Sequence, residues 1–227
     1  FTYMSGNPDL KPETIHDLTL SGSYKWLQFM ISYQREKDAI LYITEQYEKN
    51  PAITTVTHRN FNRIDNFSAF LTASPAVGSW HPQLTVGVQK QWAKIEHNGE
   101  TLQMDTPLFF CTLNNGIQLP YHWTLSTDIN FQSKGDYQNI YMYQNVFMMN
   151  ATLTKSFLNE HLSIHLQGID LTHGRKDGNR IYNKHMNMDV ANVSDSRELR
   201  FTIRYKFNTA KSKYKGKGAA AEEIKRL

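Results

Sequence analysis

Several features that define common protein classes are missing from this sequence of 227 residues. A single cysteine, Cys111, excludes an intramolecular disulfide framework and any multi-cysteine zinc or iron–sulfur site. With 12 Gly and 7 Pro residues, the chain is neither collagen-like nor of the Pro/Gly-rich disordered type. No window approaches the roughly 18 consecutive apolar residues of a membrane-spanning helix, and no signal peptide is recognisable. Because Phe1 rather than a methionine stands first, we expect the chain to be part of a longer protein.

Net charge is also absent outside the C-terminal end. The formal net charge of +4 equals that of residues 208–227 alone, a Lys-, Gly- and Ala-rich run with almost no apolar side chains. This composition predicts a disordered basic tail. A nucleic-acid-binding domain would carry its basic residues on the folded surface, so nucleic-acid binding is not predicted.

The strongest positive feature is an alternation of apolar and polar residues with period two, which indicates β-strands. In residues 123–132, for example, Leu125 and Ile129 alternate with Ser126 and Asp128. No segment has a convincing helical period, so the predicted fold class is all-β with antiparallel neighbours. The pattern predicts about nine strands, at residues 17–25, 27–33, 61–74, 83–93, 107–119, 123–132, 145–157, 162–167 and 198–207.

The predicted connections alternate in length, as in an outer-membrane β-barrel. Short turns follow Lys25, Ser74, Leu119 and Phe157, and longer polar loops follow Ile43, Ile95, Phe131 and Asp170. Aromatic residues typical of a membrane interface lie beside the short turns, at Trp26, Trp80, Tyr121 and Trp123. A soluble β-sandwich remains an alternative, because its strands alternate too.

One lysine departs from the alternation. Lys90 shares the apolar parity of Val88 and Trp92. We expect either that its side chain snorkels to the membrane interface or that a β-bulge shifts the register before it.

Two segments resemble a known family. Residues 6–14 read GNPDLKPET and resemble the GNPxLKPE motif of TonB-dependent outer-membrane receptors, where the motif leads into a strand that runs down to the periplasm. Residues 197–217 are similar to the end of the Bacteroidetes-type outer-membrane β-barrel receptors. The resemblance implies an antiparallel up-and-down transmembrane β-barrel. Its implied division is a loop segment over 1–13, the C-terminal part of the barrel over 14–207 and a disordered basic tail over 208–227.

The resemblance also implies a function and partners. The nine predicted strands would be the last of a barrel of about twenty-two, and the plug domain, the TonB-contacting segment and the first strands would belong to the rest of the parent chain. The implied function is uptake of a scarce ligand (iron chelate, glycan or peptide) across the outer membrane of a Gram-negative cell, with the tail in the periplasm. Implied partners are outer-membrane lipid, the plug and remaining strands, the TonB complex and the transported ligand. A passive porin or small adhesin-type barrel, and a soluble β-sandwich binding module, are the alternatives.

No catalytic, cofactor-binding or metal-binding residues are predicted, and we expect no enzymatic activity. His161 and His165 have the i, i+4 spacing of zinc ligands on a helix, but on a strand this spacing is about 13 Å, too long for one metal ion. Four charged residues are expected either to form a hydrated barrel wall or to contact the substrate. They are Asp128, Arg200, Arg204 and Lys206.

Overall fold

The computed structural model describes residues 2–47, 49–193 and 195–207, so the predicted tail at 208–227 lies outside the described residues. Within these ranges the chain consists of strands and one 3-10 turn at Pro120–His122. No helix in the described part of the chain is long and apolar enough to cross a membrane. The prediction of an all-β fold with antiparallel sheets is confirmed.

Fifteen strands lie within the described residues. In chain order they are β1 (Thr2–Met4), β2 (Thr14–Tyr24), β3 (Leu27–Tyr47), β4 (Asn50–Ala73), β5 (Trp80–His97), β6 (Glu100–Met104), β7 (Leu108–Leu119), β8 (Trp123–Gln132), β9 (Gly135–Tyr137), β10 (Ile140–Met142), β11 (Val146–Phe157), β12 (Leu162–Ile169), β13 (Lys176–Tyr182), β14 (Asn187–Val193) and β15 (Glu198–Tyr205).

These strands form two sheets. The larger sheet follows the antiparallel order β2-β3-β4-β5-β7-β8-β11-β12-β15, with β6 paired to β5 and β1 paired in parallel to β4. The two edge strands, β2 and β15, do not pair with each other, so the larger sheet is open over the described residues. The smaller sheet has the order β14-β13-β10-β9.

The strand registers bring the apolar residues onto one face of the larger sheet, which we call the apolar wall. Leu125 of β8 lies between Ile117 of β7 and Leu153 of β11. Leu166 of β12 in turn lies between Leu153 and Phe201 of β15. Phe201 is 62% exposed, and no layer of the described chain covers this face. An uncovered apolar face of this extent requires lipid or another apolar layer against it.

Lysine and aromatic side chains occur at both ends of the apolar wall. At the end with the short turns, the Lys155 ammonium lies 5.1 Å from the ring centroid of Trp123. At the end with the long connections, the Lys90 ammonium lies 5.3 Å from the ring centroid of Trp92. The β4–β5 register is regular around Lys90, so the predicted bulge is wrong and the side chain keeps its apolar parity. Lysines in such positions extend along the wall towards the polar interface.

The apolar residues of β3 change face at Asp38. Asp38 has a φ of 54°, in the left-handed region. Before it, Phe29 is exposed on the apolar wall. After it, Ala39 and Leu41 are buried and pack with Ile64, which has the parity of the opposite face. Odd-numbered apolar residues of β3 therefore lie on the exposed apolar wall before Asp38 and in a protein core after it.

The GNPDLKPET segment is bound across the β3–β4 hairpin at this point. The side chain of Asn60 accepts a hydrogen bond from the Lys11 amide at 2.8 Å and donates to the carbonyls of Lys11 and Asp38 at 2.9 and 2.7 Å. Asn7 donates to a backbone carbonyl of β4 at 2.9 Å. β1 lies within the predicted loop segment 1–13, the remainder of which has no regular structure in the described residues.

The connections differ most from prediction. The turn predicted at 75–82 is shorter, because β5 already begins at Trp80. In place of the loop predicted after Ile43, the β3–β4 hairpin continues, with a register shift between Gln46 and Tyr47, and closes between Tyr47 and Asn50. The loops predicted after β8 and β12 contain the four strands of the smaller sheet. These strands are short or polar on both faces, so no one-sided alternation identifies them.

The two faces of β8 predict opposite responses to a new charge. Ile129 lies in the apolar wall between Leu113 and Met149, whereas the next residue, Asn130, lies on the opposite face. A charge facing lipid near mid-membrane costs about 2–4 kcal/mol, and one facing the lumen costs much less. We expect Ile129→Arg to lower the folded yield of the full-length protein strongly, and Asn130→Arg to leave it nearly unchanged. Heat-modifiable migration in gels measures the folded fraction, and equal yields would contradict the assignment of faces.

Candidate functional site

The face opposite the apolar wall, which we call the polar wall, is lined mainly by hydroxyl and amide side chains. Asn114, Asp128 and Asn150 form one row across β7, β8 and β11. Thr72 and Thr85 of neighbouring strands share a hydrogen bond of 2.9 Å. The polar wall therefore offers many neutral donors and acceptors and few charges.

An aromatic pair, Phe70 and Phe110, interrupts the polar wall. Phe70 lies opposite Gly87, and its ring covers the glycine so closely that a Cβ there would be 2.2 Å from Phe70 Cδ1. Phe110 of β7 lies beside it, with 6.2 Å between the ring centroids. Gly87 is thus required for the close approach of the Phe70 ring to the strand.

The predicted charged residues are dispersed. Asp128 lies between two asparagines in the polar wall, and Arg200 pairs with Glu198 at 2.9 and 3.0 Å. Arg204 lies opposite Ser163, and Lys206 follows the end of β15. The structure does not bring these four charges together into one site.

The two histidines with i, i+4 spacing, His161 and His165, both form polar contacts with neighbouring residues. His165 has Thr154 Oγ1 3.0 Å from Nδ1 and Ser163 Oγ 3.0 Å from Nε2. His161 lies in the turn before β12, with Nδ1 3.4 Å from the carbonyl of Lys206. Among the described residues, no group of three His, Cys, Asp or Glu side chains is arranged to hold a metal ion.

The most buried part of the described chain lies at the loop end, not in the membrane-spanning wall. Its core, which we call the loop core, consists of Ala39, Leu41, Ile64, Ala93, Ile95 and Met104, with Phe61, Leu102, Tyr141 and Tyr182 packed against it. Leu41, Ile64 and Ile95 are no more than 2% exposed. The long connections thus fold into a compact assembly with its own hydrophobic core. Sequence reasoning missed this assembly, although Ile43 and Ile95 are apolar residues at the predicted loop boundaries.

Buried amide side chains connect the smaller sheet to this assembly. Asn139 donates to the carbonyls of Tyr42 and Tyr182 at 3.0 and 3.1 Å. Gln91 exchanges two hydrogen bonds with the backbone of Gln138, at 2.8 and 2.5 Å. Buried polar groups that are paired in this way fix one arrangement of the loops, because each lost partner leaves an unsatisfied buried atom.

A buried aspartate organises the turn after β12. Burial acts to raise the pKa of Asp170, but hydrogen bonds from Ser196, from the backbone amides of Gly174 and Arg175 and from Thr172 outweigh it and hold the pKa below its ordinary value. The charged carboxylate therefore stabilises this turn above the polar wall.

A cavity of about 180 Å³ lies where the polar wall meets the smaller sheet. Ser32, Glu36 and Asn66 contribute from the wall, and Tyr137 contributes from β9. Asn66 donates to Glu36 at 2.9 Å. The cavity combines amide, hydroxyl, carboxylate and aromatic groups, which together suit a polar ligand.

A long antiparallel sheet with one apolar face, one neutral polar face and folded loops at one end is typical of the wall of a membrane-spanning β-barrel. The sequence model of the outer membrane protein beta-barrel family matches residues 1–205, and the chain belongs to that family. Membership of the family implies a location in the outer membrane.

The fold is similar to that of the outer membrane transporter YddB from Escherichia coli, known from its crystal structure. The TM-score is 0.53 and the sequence identity is 12%. The match covers 91% of this chain and 34% of the transporter, so the chain spans about a third of that protein. No curated protein sequence matches the chain.

Asn139 should be more important for loop structure than an exposed asparagine of the same sheet. Asn139→Ala removes two hydrogen bonds and leaves two carbonyls unpaired in a buried setting, at a cost of about 1–3 kcal/mol. We expect faster amide hydrogen exchange in β9, β10 and β13. Asn187→Ala, at an exposed position of β14, is the matched control and should leave exchange unchanged. The same exchange rates in both variants would show that Asn139 does not connect the loops.

Asp170→Asn should loosen the turn after β12 at neutral pH. Because the pKa of Asp170 is lowered on folding, its stabilisation is complete above the unfolded pKa of about 3.9 and is lost as the pH falls through the lower folded value. Amide exchange at Gly174 and Arg175 should therefore rise in the variant at pH 7, and proteolytic nicking of wild type and variant should converge below about pH 4.

Asp189→Asn is the control for this experiment. Asp189 forms an exposed ion pair with Arg180, which lowers the pKa of Asp189, but solvent screens the pair. Its replacement should change amide exchange far less than Asp170→Asn does, and an equal change would argue against a special role for the buried carboxylate.

Proposed function

We propose that this chain forms the C-terminal barrel wall of a TonB-dependent transporter, and that the full-length parent protein takes up a scarce ligand across the outer membrane. The observation that carries this proposal is the combination of a lipid-facing apolar wall, a neutral polar wall and a compact loop assembly folded over the polar side. A transport protein needs all three, because it must span lipid, line an aqueous passage and meet its ligand outside the cell.

Two further observations support a transporter over a simple barrel. The fold resembles that of an outer membrane transporter over most of this chain. The GNPDLKPET segment, which resembles the receptor motif, is bound tightly to the β3–β4 hairpin through Asn60 and Asn7. The larger sheet would then supply the last strands of a barrel of about twenty-two.

In this proposal the chain catalyses no covalent reaction, and other parts of the parent protein have separate roles. The parent chain would contribute a plug domain inside the barrel, the first strands and a segment that contacts the TonB complex. Residues 208–227 would be a periplasmic tail. The wall itself would bind and guide the ligand through hydrogen bonds, and its amide and hydroxyl lining favours glycans or peptides over strongly anionic iron chelates, which Arg or Lys would serve better.

A passive porin or adhesin-type barrel is the rival that shares most of these features. It would have the same apolar wall but no plug and no energy coupling. The alternative of a soluble β-sandwich is disfavoured, because the apolar wall has no second sheet packed on it within the described residues.

Electrical conductance and TonB binding separate the transporter from the porin. We expect the detergent-purified full-length protein to bind the periplasmic domain of TonB and to give no stable open-channel current in a planar bilayer, because a plug closes the barrel. A passive porin would give steady current and no TonB binding, and that result would overturn the proposal. Recovery of the intact protein in the soluble periplasmic fraction would overturn the barrel itself.

A further inference from the structure

A cleft opens on the outer side of the sheet, where β4 and β5 separate. The two strands pair from Ala73 to Ile64, and beyond this point β4 no longer pairs with β5, whose opposite edge pairs with β6. The resulting cleft, which we call the outer cleft, has a volume of about 340 Å³. Its lining includes Arg63, Asp65, Trp92, Lys94, Gln103 and Asp105.

The outer cleft faces the same side as the apolar wall. Along β5, Trp92 and Lys94 are exposed, whereas the alternate residues Gln91 and Ala93 are buried beneath the loop assembly. Trp92 also lies opposite Asp65 in the β4–β5 register, just beyond the last apolar pairs of the apolar wall. The outer cleft therefore lies at the loop end of the lipid-facing surface and outside the barrel lumen.

Arg63 and Lys94 balance Asp65 and Asp105 in the lining of the cleft, and Arg35 and Lys90 beside it add two further cations. Arg35 and Arg63 both donate to the single carboxylate of Asp65, at 2.9 and 2.5 Å. The two guanidinium side chains remain 46% and 52% exposed, whereas the Asp65 side chain is only 9% exposed. One carboxylate cannot use all the donors of two guanidinium groups, so N–H groups stay free to bind another anion.

Two lysines add to this charge. Lys90 lies on the apolar wall and extends its ammonium to 5.3 Å from the Trp92 ring, towards the outer cleft. Lys94 lines the cleft directly. The rows just before Lys90 on the same face, Val88 with Phe109 and Val86 with Cys111, Phe131 and Phe147, are apolar. The two lysines thus lie at the loop end of this face, beyond an aromatic and apolar surface.

We propose that the outer cleft binds the phosphate group of an anionic membrane lipid. The arginines and lysines supply charge-assisted hydrogen bonds to phosphate oxygens, and the apolar wall directly below receives the acyl chains. Trp92 has the amphipathic side chain that prefers this depth of a bilayer. The proposal goes beyond ligand uptake and does not depend on it, because it concerns only the lipid-facing surface.

Native mass spectrometry of the full-length protein tests the proposal. The protein is released from mixed micelles of phosphatidylglycerol, which is anionic, and phosphatidylcholine, which is zwitterionic. The variant is Lys90→Gln/Lys94→Gln, which leaves the Arg35–Asp65–Arg63 group intact. The matched control is Lys25→Gln/Lys155→Gln, which removes two lysines at the short-turn end.

The wild type should retain phosphatidylglycerol in preference to phosphatidylcholine, and the Lys90/Lys94 variant should lose this preference by roughly ten- to thirty-fold while remaining heat-modifiable. The Lys25/Lys155 control should keep it. Equal retention by both variants would overturn the proposal. Complete displacement of phosphatidylglycerol by inorganic phosphate would also overturn it, because the outer cleft would then be a site for soluble phosphate.

Discussion

The structure depends on one constraint, which is that a chain in hydrocarbon must satisfy its backbone hydrogen bonds internally. Nine strands of the larger sheet satisfy this constraint through long antiparallel ladders, whose registers are regular across the spanning region; they are β2, β3, β4, β5, β7, β8, β11, β12 and β15. No register shift in this region of the described chain moves a strand by an odd number of residues. The apolar residues of each strand therefore lie on the same face of the sheet as those of its neighbour. Leu125, Ile117 and Leu153 therefore meet on one face without packing against a protein core. The open edges at β2 and β15 leave backbone groups that must find partners in the membrane for the same reason.

Hydrophobic burial in the usual sense contributes only at the loop end. The residues of the apolar wall, such as Phe201, remain exposed within the chain, whereas Leu41 and Ile64 are buried between the strand extensions and the smaller sheet. Lipid takes the place of a core along the wall, and water surrounds the loops, so only the loops need a core of their own. Their compactness also needs the paired amides of Asn139 and Gln91, since the short strands of the smaller sheet bury little apolar surface.

The membrane-spanning strands could be predicted from the sequence because a single physical requirement acts on every second residue. The prediction for 123–132 coincides with β8, and the short turn predicted near Lys25 is found as the connection between Tyr24 and Leu27. The loop assembly could not be predicted in this way. Its strands are held by contacts between segments far apart in the chain, such as Thr44 with Asn183 at 2.8 Å, and no local period records such contacts. Asp128 and Arg200 were predicted to belong to a hydrated barrel wall, and both lie on the polar wall. They belong to separate strands and do not form a single site.

Asp38 shows why an alternating pattern alone cannot locate the end of the membrane-spanning region. Odd-numbered apolar residues occupy β3 from Leu27 to Tyr33 and again from Ala39 to Ile43, with the charged residues Arg35 and Lys37 between the two runs. The left-handed Asp38 lies between the two runs and turns the second run to the other face, so that the first lies on the apolar wall and the second is buried at the loop end. A non-glycine residue in this conformation is held by its surroundings. Asn60 provides that support by bonding to the Asp38 carbonyl and to Lys11 of the GNPDLKPET segment. The segment that resembles the receptor motif thus lies where the membrane wall becomes the loop assembly, and its rigidity serves the change of face as well as the start of β2.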